Sequence, residues 1–221
     1  MIEKILPAQV SCAESFGSDL AGELFPEEEA MVARAVDKRR REFAAGRDCA
    51  RRALSALGVK PAPLLPGYRG APQWPDGIAG SITHCPGYCA AAVASTSDVL
   101  TIGLDAEPSG ALPGGVLELV SLPAERARLR DLAAEIPGTH WDRLLFCAKE
   151  AVYKAWFPLT RRWLGFEDAD ITISPRDLTF TARLLVPAPV VGDLPVAVFA
   201  GRWLADDNLT MTAVTVAPQG R

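Results

Sequence analysis

Glu150 and Lys154 stand four positions apart in Phe146-Cys147-Ala148-Lys149-Glu150-Ala151-Val152-Tyr153-Lys154-Ala155-Trp156. Side chains at i and i+4 share a helix face, so a carboxylate able to hold a metal or take a proton stands beside an ammonium able to meet a phosphate, with Lys149 at the edge. Alone, the pattern fits a solvated Glu–Lys pair better. A second acidic pair lies in Thr101-Ile102-Gly103-Leu104-Asp105-Ala106-Glu107-Pro108. With a strand's period of two, Ile102, Leu104 and Ala106 face one way while Gly103, Asp105 and Glu107 face the other. Carboxylates side by side raise each other's pKa unless a cation holds them charged, and oxygen ligands with room for phosphate and water suit Mg²⁺.

Such groups act together only if helices and strands bring them together. Pro26-Glu27-Glu28-Glu29 reads as the acidic first turn of a helix, continued with a break near Asp37 to Gly58. Pro61 to Gly77 is rich in Pro and Gly and reads as an ordered loop. Ile78–His84 and Tyr88–Ser95 form a hairpin about Pro86-Gly87, and the strand to Glu107 closes a first α+β half, residues 1–107. In the second half, residues 108–221, Pro123 opens a helix to about Ala134. A second helix follows over 139–157, capped by Thr139 and stopped before Pro158, which has no donor with which to continue it. Ile171–Ile173, Leu178–Val186, Val196–Leu204 and Leu209–Val216 then read as a meander turning at Asp206-Asp207-Asn208.

The 221 residues, 49% hydrophobic, can bury one large core or two small ones. A net charge of −4 argues against a general nucleic-acid binder, despite the Lys38–Arg41 run. Met1–Pro7 lacks a signal peptide's apolar run and no segment reaches membrane length, so a cytoplasmic protein without a membrane partner is expected. Five irregularly spaced cysteines predict free thiols.

The pairing of Gly103-Leu104-Asp105-Ala106-Glu107 with Ala148-Lys149-Glu150-Ala151-Val152-Tyr153-Lys154-Ala155 resembles the signatures of the Sfp/EntD-type 4′-phosphopantetheinyl transferases. Gly80-Ser81-Ile82-Thr83-His84 resembles the family's S-x-[ST]-H element and Gly70-Ala71-Pro72 its G-x-P element. Arg39-Arg40-Arg41-Glu42-Phe43 with Arg47 resembles its R-x-x-E-F-x-x-x-R helix. His140-Trp141-Asp142-Arg143 and Trp156-Phe157-Pro158-Leu159-Thr160 are similar to the actinobacterial PptT-like branch.

The resemblance implies two similar α+β halves related by a pseudo-twofold axis. The implied reaction moves the 4′-phosphopantetheine arm of coenzyme A to a serine of apo acyl, polyketide or peptidyl carrier proteins, with Mg²⁺, releasing 3′,5′-ADP. Asp105, Glu107 and Glu150, with the Ala106 carbonyl, would hold the metal. Glu150 would also be the base, Lys154 would meet the phosphate charge, and Asp105 completes the catalytic set. Coenzyme A would contact Arg39, Arg47, Thr83 and His84, and Pro66, Gly67, Tyr68 and Arg69 of the loop. Leu164 is placed along the pantetheine arm, with a core position as the alternative. Arg40 competes with Arg39, because it stands seven positions from Arg47, nearly two full turns. The two-halved plan makes a monomer the expectation. Outside the family, a Mg²⁺-dependent phosphohydrolase acting on a nucleotide-like substrate would use the same carboxylates on water, and a noncatalytic coenzyme A binding module would keep the arginines without needing Glu150.

Overall fold

The computed structural model describes residues 1–17, 22–191 and 194–218. Strands β1 (Ser11–Phe16), β2 (Ile78–Cys85) and β3 (Tyr88–Ser95) form an antiparallel sheet in the order β1-β3-β2. Strands β4 (Thr101–Pro108), β5 (Ala169–Ser174), β6 (Thr179–Leu184), β9 (Val198–Ala205) and β10 (Leu209–Val216) form a second, in the order β4-β10-β9-β6-β5. The two-residue strands β7 (Val190–Val191) and β8 (Leu194–Pro195) pair with each other. Helices α1 (Pro26–Val32), α2 (Asp37–Ala56), α3 (Val116–Val120), α4 (Pro123–Glu135) and α5 (Trp141–Thr160) complete an α+β chain.

The break near Asp37 is real, since α2 begins on that residue. The Pro/Gly-rich loop holds only a 3-10 turn at Tyr68–Gly70 and one bridge between Pro66 and Pro72. Neither β1 nor α3 was foreseen. Ser-Cys-Ala-Glu-Ser-Phe carries no β-branched residue, and the five residues of α3 are too short to show a period.

Helix α5 differs from the expected 139–157 at both ends. His140, not Thr139, precedes its first turn, and Asp142 accepts a hydrogen bond from the Leu112 amide at 2.8 Å. Pro158 lies inside the helix, which ends at Arg161 in the left-handed region. The turn survives the missing donor because other bonds close it. Arg161 N–H donates to Phe157 O, the Thr160 hydroxyl to Trp156 O, and the Trp156 indole to Arg162 O at 3.0 Å.

Each long helix covers one sheet through small residues. Ala45, Cys49, Ala50 and Ala53 of α2 lie against Cys89, Ala91 and Val93 of β3. Ala151 and Ala155 of α5 lie over β4, where a Cβ on Gly103 would overlap the Ala151 carbonyl oxygen and stand 2.7 Å from the Ala155 nitrogen. Only glycine allows so close an approach.

β4 follows the first sheet in sequence but takes its ladder from β10, with Asp105 opposite Thr212 and Glu107 opposite Thr210. Its other edge faces β2 and is bonded by side chains. The Ser81 hydroxyl accepts from Leu104 N–H and the Thr83 hydroxyl from Ala106 N–H, both at 3.0 Å. Two hydroxyls thus stitch one sheet to the other, and the seam runs beside Asp105.

Candidate active site

A cavity of about 820 Å³ opens between α2, the 66–74 loop, β2 and the C-terminal turns of α5. Of the residues singled out in the sequence, Arg39, Arg47, Gly67, Tyr68, Arg69, His84, Glu150 and Lys154 line it. Arg39, Glu42, Phe43, Gly46 and Arg47 share the wall, a stripe wide enough to admit Arg39. Arg40, the alternative offered by the seven-position spacing, is off the wall.

The cations are held differently. Arg39 is exposed, and its Nη1 lies 3.3 Å from His84 Nε2, so the guanidinium donates to a neutral imidazole. Burial, with Arg39 and Lys154 nearby, keeps the His84 pKa below its ordinary value against the pull of Glu42 and Asp105. Arg47 is buried at 6% exposure, lies 4.0 Å over the Phe43 ring and donates from Nε to Leu64 O at 2.8 Å. Burial lowers its pKa to about 10, still charged at neutral pH.

Tyr68 stacks on Phe157 with centroids 6.0 Å apart and 22° between planes, joining the loop to α5. Arg69 stands over both Tyr68 and Trp163, with a backbone φ of 57° in the left-handed region.

Across the cavity, β4 and α5 bring opposite charges together. Gly103 draws the helix onto the strand, and Lys154 Nζ donates to Asp105 Oδ1 at 2.8 Å. Burial works against the Lys154 charge, but Asp105 and Glu150 outweigh it and the pKa rises. Glu150 is pushed above the usual carboxylate range by burial and then by Asp105, with Lys154 opposing. Glu107 rises for the same reasons, burial first, then Asp105 and Glu150, against Arg143 and Lys154. The three carboxylates therefore feel one another.

The structure qualifies the metal site. Among the described residues, no three His, Cys, Asp or Glu side chains are gathered closely enough to hold an ion. Glu107 is turned to Arg143, whose Nη1 donates at 3.1 Å while its Nε and Nη2 donate to Gly110 O and Ala111 O. Asp105 Oδ2, however, is buried without a hydrogen-bond partner among the described residues. An orphaned carboxylate oxygen beside a second carboxylate of raised pKa suits a hard, oxygen-seeking cation.

Besides Arg40, six site residues named in the sequence are off the cavity wall: Asp105 and Glu107, described above, and Thr83, Ala106, Leu164 and Pro66. Neighbours on a strand point to opposite faces, so Thr83, with its hydroxyl on Ala106 N–H, turns away where His84 turns in. Ala106 sits in the core with Leu104. Leu164 is 6% exposed in the larger core, the alternative reading of that residue. Pro66 is outside the wall, and its carbonyl accepts from Gln73 Nε2 at 3.3 Å.

Three contributors were missed. Tyr153 and Arg161 line the cavity from α5, and Arg143 holds Glu107. Arg143 stands seven positions before Glu150, and that spacing was available as a signal.

Residues 27–94 match the 4′-phosphopantetheinyl transferase N-terminal domain family, and residues 101–189 match the 4′-phosphopantetheinyl transferase superfamily. The chain is 55% identical over 220 residues to 4′-phosphopantetheinyl transferase Svp of Streptomyces mobaraensis, covering 98% of this chain and 89% of that one. It is 50% identical to 4′-phosphopantetheinyl transferase Npt of Nocardia iowensis, covering 98% of this chain and 100% of the relative. With 4′-phosphopantetheinyl transferase PptT of Mycobacterium tuberculosis it shares 47% identity, covering 98% of each.

Proposed function

This chain belongs to the 4′-phosphopantetheinyl transferase superfamily, and we propose that it moves the 4′-phosphopantetheine arm of coenzyme A to a serine of an apo carrier protein and releases 3′,5′-ADP. The observation that carries the reading is the cavity, on whose wall Arg39, Arg47 and His84 meet Glu150 and Lys154. A substrate spanning that wall can keep its phosphates on the cations and one phosphorus before the carboxylate. The first half, residues 1–107, supplies Arg39, Arg47 and His84 and the acidic strand, and the second, 108–221, supplies the helix bearing Glu150 and Lys154.

Phosphoryl transfer needs a placed nucleophile, an in-line phosphorus and an answer to charge on the leaving oxygen. Glu150, its carboxyl raised by burial and Asp105, takes the serine proton. The serine oxygen forms a bond to the pantetheine-bearing phosphorus while the bond to the bridging pyrophosphate oxygen breaks. Lys154, fixed by Asp105, meets the charge that grows on that oxygen. His84 and Arg39 hold the departing phosphates, while Tyr68 and Arg69 close the cavity from the loop.

Asp105, Glu107 and Glu150, with the Ala106 carbonyl, are the residues that would hold Mg²⁺, and the free Oδ2 of Asp105 supports this. A bound Mg²⁺ would neutralise pyrophosphate charge. Intact-mass analysis of an apo carrier protein incubated with coenzyme A, Mg²⁺ and the enzyme tests the proposal. A carrier heavier by one arm, with 3′,5′-ADP formed in equal amount, is expected. An unmodified carrier overturns it.

A further inference from the structure

Glu28 looks in the sequence like one of three acids in a helix's first turn, but in the structure it is 0% exposed. Both its oxygens are occupied. Arg51 Nη1 donates to Oε1 at 3.1 Å and to Oε2 at 2.9 Å, Phe25 N–H donates to Oε2 at 3.0 Å, and Leu64 N–H donates to Oε1 at 2.8 Å. Arg51 reaches on to the Glu23 carbonyl and lies over the Phe25 ring. The Leu64 contact is the informative one. Its N–H is held by Glu28, its C=O accepts from Arg47 Nε, and its side chain is buried beneath α2. One residue is therefore gripped from α1 and from α2. Two residues further along, the chain enters the stretch that includes Gly67, Tyr68 and Arg69 of the cavity wall.

We infer that Glu28 and Arg51 are positioning residues: their buried ion pair latches Leu64, so that Arg47 and the 66–72 loop are already placed for coenzyme A. The inference rests on the proposed substrate. It assigns these residues to ligand affinity and leaves the chemical step to others, because neither lines the cavity. A preordered wall binds without the entropic penalty of ordering a loop. An ion pair buried this deeply is a weak source of net stability compared with apolar packing, which is consistent with a role in fixing one arrangement.

The test combines Glu28→Gln with amide hydrogen exchange, calorimetry against coenzyme A and steady-state kinetics. Glutamine offers one acceptor oxygen where three donors need two. Exchange should quicken in the peptide spanning 64–72 while the 43–54 segment of α2 keeps its protection. Coenzyme A binding should weaken about tenfold, with kcat at saturating coenzyme A within about twofold of the parent. Glu28→Gln combined with Arg47→Ala should lose less than the two separate losses together, since both act through Leu64. If the single variant does not fold, the paired Glu28→Gln, Arg51→Gln change removes both charges and leaves no unpaired ion, and the same expectations apply. Unchanged exchange at 64–72, or unchanged coenzyme A affinity in a folded variant, overturns the latch. A parent protein that binds no coenzyme A overturns the proposed substrate instead, while the exchange arm still tests the latch without ligand.

Discussion

Helices α2 and α5 are each twenty residues long and each covers a sheet with small side chains, yet they treat charge in opposite ways. The cavity-facing charges of α5 are matched across a strand: Lys154 has Asp105, and Glu150 feels both. On α2, Arg39 has only a long contact with Glu42, at 4.0 Å, and a neutral imidazole. In the proposed reaction the groups that would act on reacting atoms are fixed by one another, while the cation proposed for a ligand's phosphate is left with little to satisfy it. Preorganised charge suits a transition state, and unsatisfied charge suits binding.

That contrast breaks first at Glu150. Glu150→Gln keeps the shape but removes both charge and proton acceptor, so turnover should fall by about a thousandfold at saturating Mg²⁺ while the fold persists. Single-turnover transfer followed by mass spectrometry measures this, and a parent-like rate would make Glu150 a bystander. Lys154→Ala should reduce kcat by about a hundredfold with a smaller change in coenzyme A affinity. Lys154→Arg should recover only part, because a planar fork replaces a point charge. Recovery of the full rate at high coenzyme A would move Lys154 to the binding side of the comparison.

Smaller losses are expected on α2 and β2. Arg39→Ala and His84→Ala should each weaken coenzyme A binding by about 1.5–3 kcal/mol, the range for hydrogen bonds to charged groups. Calorimetry with dephospho-coenzyme A sharpens the assignment, since a loss confined to coenzyme A places the contact on the 3′-phosphate.

The smallest effect is on melting temperature. Glu107 and Glu150 have folded pKa values above their ordinary 4.5, so the stability they contribute is full below 4.5 and is lost as pH rises through the raised values. Mg²⁺ should therefore raise the melting temperature by a few degrees at pH 8, on the scale of about 1 kcal/mol, and by less at pH 5, nearer to where these carboxyls take up protons. An equal increment at both values would detach the metal from these carboxylates.

The parts legible in the sequence were those governed by a period. Alternation along β4 put Asp105 and Glu107 on one face and Leu104 and Ala106 on the other, in the core. What stayed hidden depended on partners distant in the chain. Glu28 differs from Glu27 and Glu29 only by burial, which a run of three acids does not display. Thr83 and His84 belong to one contiguous motif, but the strand sends them to opposite faces. Pro158 stops most helices, and only the bonds around Trp156, Thr160 and Arg162 let this one continue.

The pairing of β4 with β10 also sets an order of assembly. During synthesis the strand bearing Asp105 leaves the ribosome long before Leu209–Val216 exists, so its backbone has only the two hydroxyls of β2 for company on one edge and nothing on the other. Non-local pairing of this kind is slow to form and leaves an open edge until it does. The strand bearing Asp105 is thus completed by residues translated long after it, and a chain truncated before β10 would carry every site residue discussed above yet lack the strand that holds two of them in line.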